Sequence, residues 1–411
     1  MNTSPAPKST VTSSTPHPVF QAAAPLQQEL LALRRHLHQH PELSWKEYET
    51  SRLIIGKLED IGLKVTIGLA GTGFYTDIDS GKPGLHLAWR ADMDALPIQD
   101  EKSVVYHSKV ENVSHMCGHD VHTTIAYGIA RHLAAHKEEF TGKIRVFWQP
   151  AEEMQPSGSP KMIRDGVLEG IDAIYGMHCD PNTPSGKISL RSGPETAAFD
   201  AFRFEIDGGS SQHSARPHKG PDSMWVGHQL VQHLYQFSGR MVNALEPTVV
   251  SVSIFQAGNA LNVIPRRVKI GGTIRTVNEE KRDMMKAYLQ DLCRNMEELH
   301  GVTIKADFGL GAPAVKNHPE MYRFARKQVE QVYGKKGFMG RQQSMGAEDF
   351  SFYTSERPGL FIRVGTCNSE ETAYPLHSGR FDVDEAVLAP TVGFMSHLLM
   401  QHTRAGFRPE L

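Results

Sequence analysis

The sequence predicts an α/β protein in which a mostly parallel sheet flanked by helices is interrupted by an inserted ferredoxin-like α+β unit. Three observations carry this expectation. Strand and helix patterns alternate between Lys64 and His178, the rhythm of a parallel sheet covered on both faces. From about Glu195 to Phe308 the order becomes β-α-β-β-α-β, the ferredoxin-like arrangement. After Asn317 the chain returns to helix, strand and helix. The expected organisation is a disordered tail over 1–24, a discontinuous larger domain over 25–194 and 310–411, and an inserted lid or dimerisation domain over 195–309.

Each element has a local reason. Met1 to Pro18 is rich in Ser, Thr and Pro and lacks the charged start and apolar middle of a secretory signal, so it reads as disordered. Leu26, Leu30, Leu33 and Leu37 recur at helical spacing until Pro41. Ser44 and Glu47 have the spacing of a capping box, and the helix they open should stop at Gly62. Short strands over Lys64–Leu69 and Gly73–Asp79, a turn over Ser80–Gly84 and a buried strand over Leu85–Trp89 follow. Then come a helix at Val121–His136, a strand at Lys143–Trp148, a helix at Pro160–Leu168 and a strand at Ala173–Met177 that ends at His178. The insert reads as strand Phe199–Ile206, helix Asp222–Ser238, strands Thr248–Gln256 and Arg267–Thr276, helix Glu279–His300 and strand Val302–Phe308.

Composition narrows the function. With 411 residues, 39% of them hydrophobic, the chain can build the cores of two or three domains. Its 44 Lys+Arg nearly balance 46 Asp+Glu, so no whole-chain field attracts nucleic acid or an anionic membrane. No apolar run approaches the roughly 18 residues of a membrane span. Cys117, Cys179, Cys293 and Cys367 are far apart and form no C-x-x-C pair, which fits a reducing, cytoplasmic setting. There is no G-x-x-x-x-G-K-[ST] element, and Gly71-Thr72-Gly73 lacks the third glycine of a dinucleotide fingerprint, so a nucleotide cofactor has no support. The 21 histidines point instead to metal or proton chemistry.

Five segments concentrate that chemistry. Cys117-Gly118-His119-Asp120-Val121-His122 offers a thiol and two imidazoles ahead of a helix whose N-terminus should favour the thiolate; by itself it fits a polar N-cap turn equally well. Within it, His122 reads as structural. Glu152 and Glu153 follow a strand, and neighbours in an extended segment point apart, so one can hold metal while the other moves a proton. His178 ends a strand and His377 precedes the last helix; each alone is more simply a hydrogen-bonded rim residue. Asp92 and Asp94 share a face and can orient an imidazole ligand. In parallel sheets ligands bind beyond the carboxyl ends of the strands, where Asp92, Asp94, Glu152, Glu153 and His178 fall. The donors exceed the needs of one zinc ion and suit a metallohydrolase with two metals.

The order of the motifs resembles the metal-dependent amidohydrolases and peptidases related to aminoacylase and carboxypeptidase G, especially the branch of hippurate hydrolase, the auxin-amino-acid conjugate hydrolases and N-acetyldiaminopimelate deacetylase. Its marks run from Arg35-His36-Leu37-His38 and His40-Pro41-Glu42-Leu43 through Arg90–Pro97, Met116–Asp120, Gln149–Glu153, Gly176–His178, Gly258–Pro265 and Gly346–Phe350 to Leu376-His377. The resemblance implies two divalent ions, Zn or Mn with Ni or Co as alternatives, held by Cys117, His119, Glu153, His178 and His377. It also implies Glu152 as general base and proton shuttle and Asp94 as the acid fixing a ligand. His213, or else His218, would hold the oxyanion, and Asn262 and Arg275 would contact substrate. Gln212 stands where the usual motif has a second glycine.

The implied reaction is hydrolysis of the amide of an N-acyl amino acid, with a metallo-carboxypeptidase or dipeptidase acting on short peptides as the alternative. Because His213 lies on the insert, domain closure or a donor from a partner subunit is expected, and relatives often form homodimers or higher oligomers. A thiol hydrolase built on Cys117 and a catalytically silent small-molecule-binding protein are the rival classes.

Overall fold

The structure is a computed structural model that describes residues 17–309 and 311–411. Its main sheet has eight strands in the order Val65–Leu69, Gly73–Asp79, Lys143–Gln149, His86–Asp92, Ala173–Pro184, Gly359–Cys367, Ile188–Leu190 and Phe338–Gly340. The centre is parallel: His86–Asp92 runs parallel to both neighbours, and Ala173–Pro184 runs parallel to Gly359–Cys367. Antiparallel pairings lie toward the two edges.

Alternation along the central strands builds two apolar layers. Leu87, Trp89 and Ala91 point to one face and pack with Leu30, Leu37, Ile125, Ile129, Leu398 and Leu399. Those partners lie on the helices Gln27–Gln39, His119–Ala135 and Leu388–Ala405. Ala88, Phe147, Ile174 and Phe361 point the other way, against Met162, Phe350 and Tyr353 of the helices Ser159–Arg164 and Phe350–Glu356. Burial on both faces explains why these strands read as continuous apolar runs.

Between residues 198 and 308 the chain forms a second, antiparallel sheet in the order Thr248–Gln256, Arg267–Thr276, Ala198–Asp207 and Thr303–Phe308. Phe202, Phe204 and Ile206 project onto Leu230 and Leu234 of the helix Ser223–Arg240 and onto Leu289 of the helix Glu279–His300. The element order is β-α-β-β-α-β, with one addition, a two-residue ladder pairing Gln212–His213 with Val263–Ile264.

Three expectations are corrected. The disordered tail expected over 1–24 does not hold for 18–23, because Pro18–Ala23 is a helix that presses Val19 and Ala23 against Gly393 and sets Phe20 4.9 Å from the Tyr333 ring; the expectation for 1–16 lies outside the described residues. The capping box does not form. The helix Tyr48–Asp60 has no side-chain cap; Ser44 donates instead to Asp94 Oδ2 at 2.6 Å, and buried Glu47 accepts from Ala151 N at 2.9 Å. Gly62 does end that segment in the left-handed region, with φ 79°. Finally, the strand carrying His178 runs on to Pro184, so His178 sits inside it. Among the described residues no helix is long and apolar enough to cross a membrane.

Candidate metal centre

Unusual backbone at three turns presents the candidate ligands. Gly118 has φ 88° and seats its backbone against Cys179, where a Cβ would lie 3.1 Å from the sulfur; Cys117 and His119 flank it, and His119 opens the helix. Ala151, at φ 53°, turns the chain after the strand Lys143–Gln149 so that Glu152 and Glu153 face the sheet end. His377 itself has φ 65°, and its N–H donates to Met116 O at 2.7 Å, which ties it to the Cys117 turn. Left-handed non-glycine residues cost about 1–3 kcal/mol each and gather at functional sites.

All five residues expected as metal ligands converge. The ligand-type atoms of Cys117, His119 and His178 lie within 4.8 Å of one another, as do those of Cys117, Glu153 and His377, and those of His119, Glu152 and Glu153. Cys117 Sγ is 3.3 Å from His178 Nε2, and Glu153 Oε1 is 3.4 Å from His377 Nε2 and 3.9 Å from His119 Nε2. His178 Nδ1 donates to Cys179 O at 2.7 Å and His119 Nδ1 to Asp94 O at 2.9 Å, so both rings turn Nε2 toward the cluster.

Two details test whether cations fit here. His119 Nε2 and Glu153 Oε1 are buried without any hydrogen-bond partner, a costly state that a divalent ion between them relieves. Burial and the Glu153 carboxylate push the Cys117 thiol well up against the opposing pull of His119, so the expected thiolate does not follow from the protein's own groups. A thiolate here needs a cation's charge, and a coordinating thiol is deprotonated outright. The mixed N, O and S donors suit divalent transition metals.

Asp94 organises the cluster from beneath. Its Oδ1 accepts from Glu152 N at 3.1 Å and lies 3.3 Å from His119 Nδ1, while its Oδ2 accepts from Ser44 Oγ at 2.6 Å and Glu153 N at 3.0 Å. Burial opposes a charged His119, but the carboxylates of Asp92 and Asp94 prevail and raise its basicity well above the ordinary imidazole value. Burial, aided by Glu348, Glu153 and Asp349, also pushes the Glu152 carboxyl well up. His122 stands apart: Nδ1 pairs with Asp92 Oδ1 at 2.6 Å and Nε2 accepts from Cys179 N at 3.0 Å, which leaves no free lone pair and agrees with a structural role.

Sequence reasoning missed the cage behind Glu152. Arg90 contacts Asp92, Glu348 (3.1 Å) and Asp349 (2.6 Å), and Gln149 Nε2 donates to Asp349 Oδ2 at 2.7 Å. The signals were the marks of the resemblance that hold Arg90, Gln149 and the acidic pair Glu348-Asp349, with nothing in any of them naming the others as partners.

A cleft of about 460 Å³ opens over these groups, lined by Cys117, Glu152, Glu153, His178 and His377 and by two arginines, Arg275 and Arg363. Arg275 donates to Met345 O at 2.8 Å and lies over the Phe199 ring at 5.0 Å. His213, His218 and Asn262 are not in this lining. They are exposed together at the short ladder, where Ser214 N donates to Asn262 O at 3.0 Å and Ala215 N to His213 Nδ1 at 3.1 Å.

Comparison with known proteins agrees with this geometry. Thermostable carboxypeptidase 2 of Saccharolobus solfataricus is 34% identical over 375 residues, 90% of this chain and 94% of that protein. N-acetyl-L-cysteine deacetylase of Bacillus subtilis is 34% identical over 370 residues, 90% of this chain and 87% of that one. Among solved structures, the Bacillus subtilis YXEP protein, a dinuclear metal binding peptidase of the M20 family, is 30% identical with a TM-score of 0.80, covering 93% of this chain and 99% of its own. The pattern of peptidase family M20/M25/M40 matches residues 88–401, a span that holds every candidate ligand, and the chain belongs to that family of hydrolases.

Proposed function

We propose that this enzyme hydrolyses the amide bond of N-acyl amino acids, releasing a carboxylic acid and an amino acid. The observation that carries the reading is the convergence of Cys117, His119, Glu153, His178 and His377 beside Glu152 in a cleft that also holds Arg275. The deacetylase activity named for the Bacillus subtilis relative is of this reaction class.

In this reading the five ligands hold two divalent ions, Zn or Mn with Ni or Co as alternatives, which polarise a carbonyl and make water acidic near neutral pH. Glu152 takes the proton from the attacking water and returns it to the leaving amine, a role suited to a carboxyl made more basic by burial and by Glu348. Asp94 holds the His119 ring and the backbone of both glutamates in place. Arg275 is the partner of the substrate α-carboxylate, with nitrogens beyond the one bound to Met345 O available for it. His213, or His218, reaches the oxyanion after the insert closes or from a partner subunit, with Asn262 moving alongside.

A short-peptide carboxypeptidase is the second reading. It is favoured by the name of the Saccharolobus relative, and it presents the same α-carboxylate to Arg275. A panel of N-acyl amino acids and dipeptides, run with chelator and with each metal added back, tests both. Turnover of N-acyl amino acids that chelation abolishes and metal restores is expected. Turnover that survives chelation and yields to alkylation points to a thiol hydrolase, and binding without turnover to a silent protein.

A further inference from the structure

A second cation in the cleft has no part in the reaction just described. Arg363 lies on the strand Gly359–Cys367, in register with His178 on the neighbouring parallel strand, so the two side chains stand on the same face beside the candidate metals. It is only 8% exposed, yet it lines the cleft. Its Nε donates to Glu195 Oε1 at 3.2 Å, and the Phe361 ring lies 5.0 Å from its guanidinium carbon, so the plane is held from two directions. Among the described residues Nε is the only guanidinium nitrogen with a hydrogen bond inside the protein, and the two Nη groups are left for the cleft.

The local charge is not balanced. Glu195 is fully buried and must serve two guanidiniums: Arg341 Nε lies 3.1 Å from the same oxygen that Arg363 contacts. Asp180 does not correct this for Arg363, because it pairs with Arg341 Nη1 at 3.3 Å. A largely buried arginine with half a carboxylate for a partner and its forked end toward a substrate cleft is arranged to receive an anion, and its two Nη groups match a carboxylate.

We propose that Arg363 binds a second carboxylate of the substrate, so that the preferred N-acyl amino acids are dianions. The inference rests on the amide-hydrolysis reading above, in which Arg275 takes the α-carboxylate. The second carboxylate has two possible sources, an acidic amino-acid side chain or a dicarboxylic acyl group, and the chemistry recognised is the same.

The test compares kcat/KM of the metal-loaded enzyme on isosteric pairs. N-acetylglutamate against N-acetylglutamine probes the amino-acid side, and N-succinylalanine against N-succinamoylalanine the acyl side. The wild-type protein should favour the charged member of at least one pair by about 10-fold or more, the scale of one charge-assisted bidentate contact. Arg363→Met should bring that ratio to about one while leaving the neutral substrates within about twofold, as a lost substrate contact demands. Where this variant does not accumulate as folded protein, Arg363→Lys keeps the charge beside Glu195 but not the fork, and should lower the ratio without touching the neutral substrates. A wild-type ratio of one or less in both pairs, or equal losses on charged and neutral substrates in either variant, overturns the proposal. Absence of turnover on every substrate would remove the amide-hydrolysis reading itself, and the inference with it.

Discussion

Replacing Asp94 by Asn changes one oxygen to nitrogen in a side chain whose four neighbours all donate to it. Asp94 is 1% exposed, so water cannot substitute for a lost acceptor. If the amide nitrogen took the place of Oδ1, it would face Glu152 N and His119 Nδ1, at 3.1 and 3.3 Å; the Glu152 N–H would be orphaned at about 1–3 kcal/mol, His119 would keep Asp94 O at 2.9 Å, and the new amide N–H groups would find no acceptor. In the place of Oδ2 it would face Ser44 Oγ and Glu153 N, at 2.6 and 3.0 Å. The Ser44 hydroxyl can turn and accept, so only the Glu153 N–H is orphaned, at about 1–3 kcal/mol. The second orientation wins. We therefore expect urea denaturation of the chelated protein to show Asp94→Asn less stable by about 1–3 kcal/mol, and competition with a chromogenic chelator to show metal affinity reduced about 10- to 100-fold. Ser44→Ala removes the group that makes this orientation tolerable, so Asp94→Asn should cost more in that background, a non-additivity only contacting residues show. Unchanged stability and unchanged metal affinity in Asp94→Asn would refute the reasoning.

Other substitutions separate proton transfer from scaffolding. Glu152→Gln should keep the metal content, measured by elemental analysis, and lower kcat by about 10²- to 10⁴-fold; a loss of metal instead would make Glu152 a ligand. Glu47, whose carboxyl is raised from 4.5 to about 7 by burial and then by Asp94, should make stability fall as pH rises through that window, because the folded protein holds a proton there that the unfolded chain has released. At 1.36 kcal/mol per unit the fall is about 3 kcal/mol. Glu47→Gln can keep an oxygen toward Trp45 N and Ala151 N, each at 2.9 Å, and turn its nitrogen to the Thr72 hydroxyl, so its stability between pH 5 and 8 should be flatter than that of the wild type in paired denaturation series.

What could be read from the sequence was chemistry carried by neighbouring residues. Cys117 and His119 are two positions apart on one turn, and the strands Gly73–Asp79 and Thr248–Gln256 announce themselves by local pattern. What could not be read depends on partners far along the chain. Arg90 meets Asp349 across 259 positions, and nothing in either segment names the other. Ser44 failed for a related reason: its spacing to Glu47 fits a cap, but the helix opens only at Tyr48 with Glu47 at its N-cap position, and the Ser44 hydroxyl instead donates to a buried carboxylate 50 positions away. His38 is fully buried between Asp120 at 2.7 Å and Asp100 at 3.2 Å, a pairing no local pattern shows.

The same long-range contacts explain how a strained site persists. Ala151 and His377 hold left-handed conformations that would relax in a free loop. Each is fastened by its backbone N–H, Ala151 to Glu47 Oε1 and His377 to Met116 O. Glu47 in turn stands at the start of the helix Tyr48–Asp60, and Met116 is buried in the main core, so strain at the turns is set against packing that they do not themselves supply. Asp94 adds the connection between the Glu152 turn and the His119 helix. Contacts within the protein therefore fasten the turns that carry the proposed ligands, and in the two-metal reading affinity should depend on Asp94 and Glu47 as well as on the five residues proposed to hold the ions.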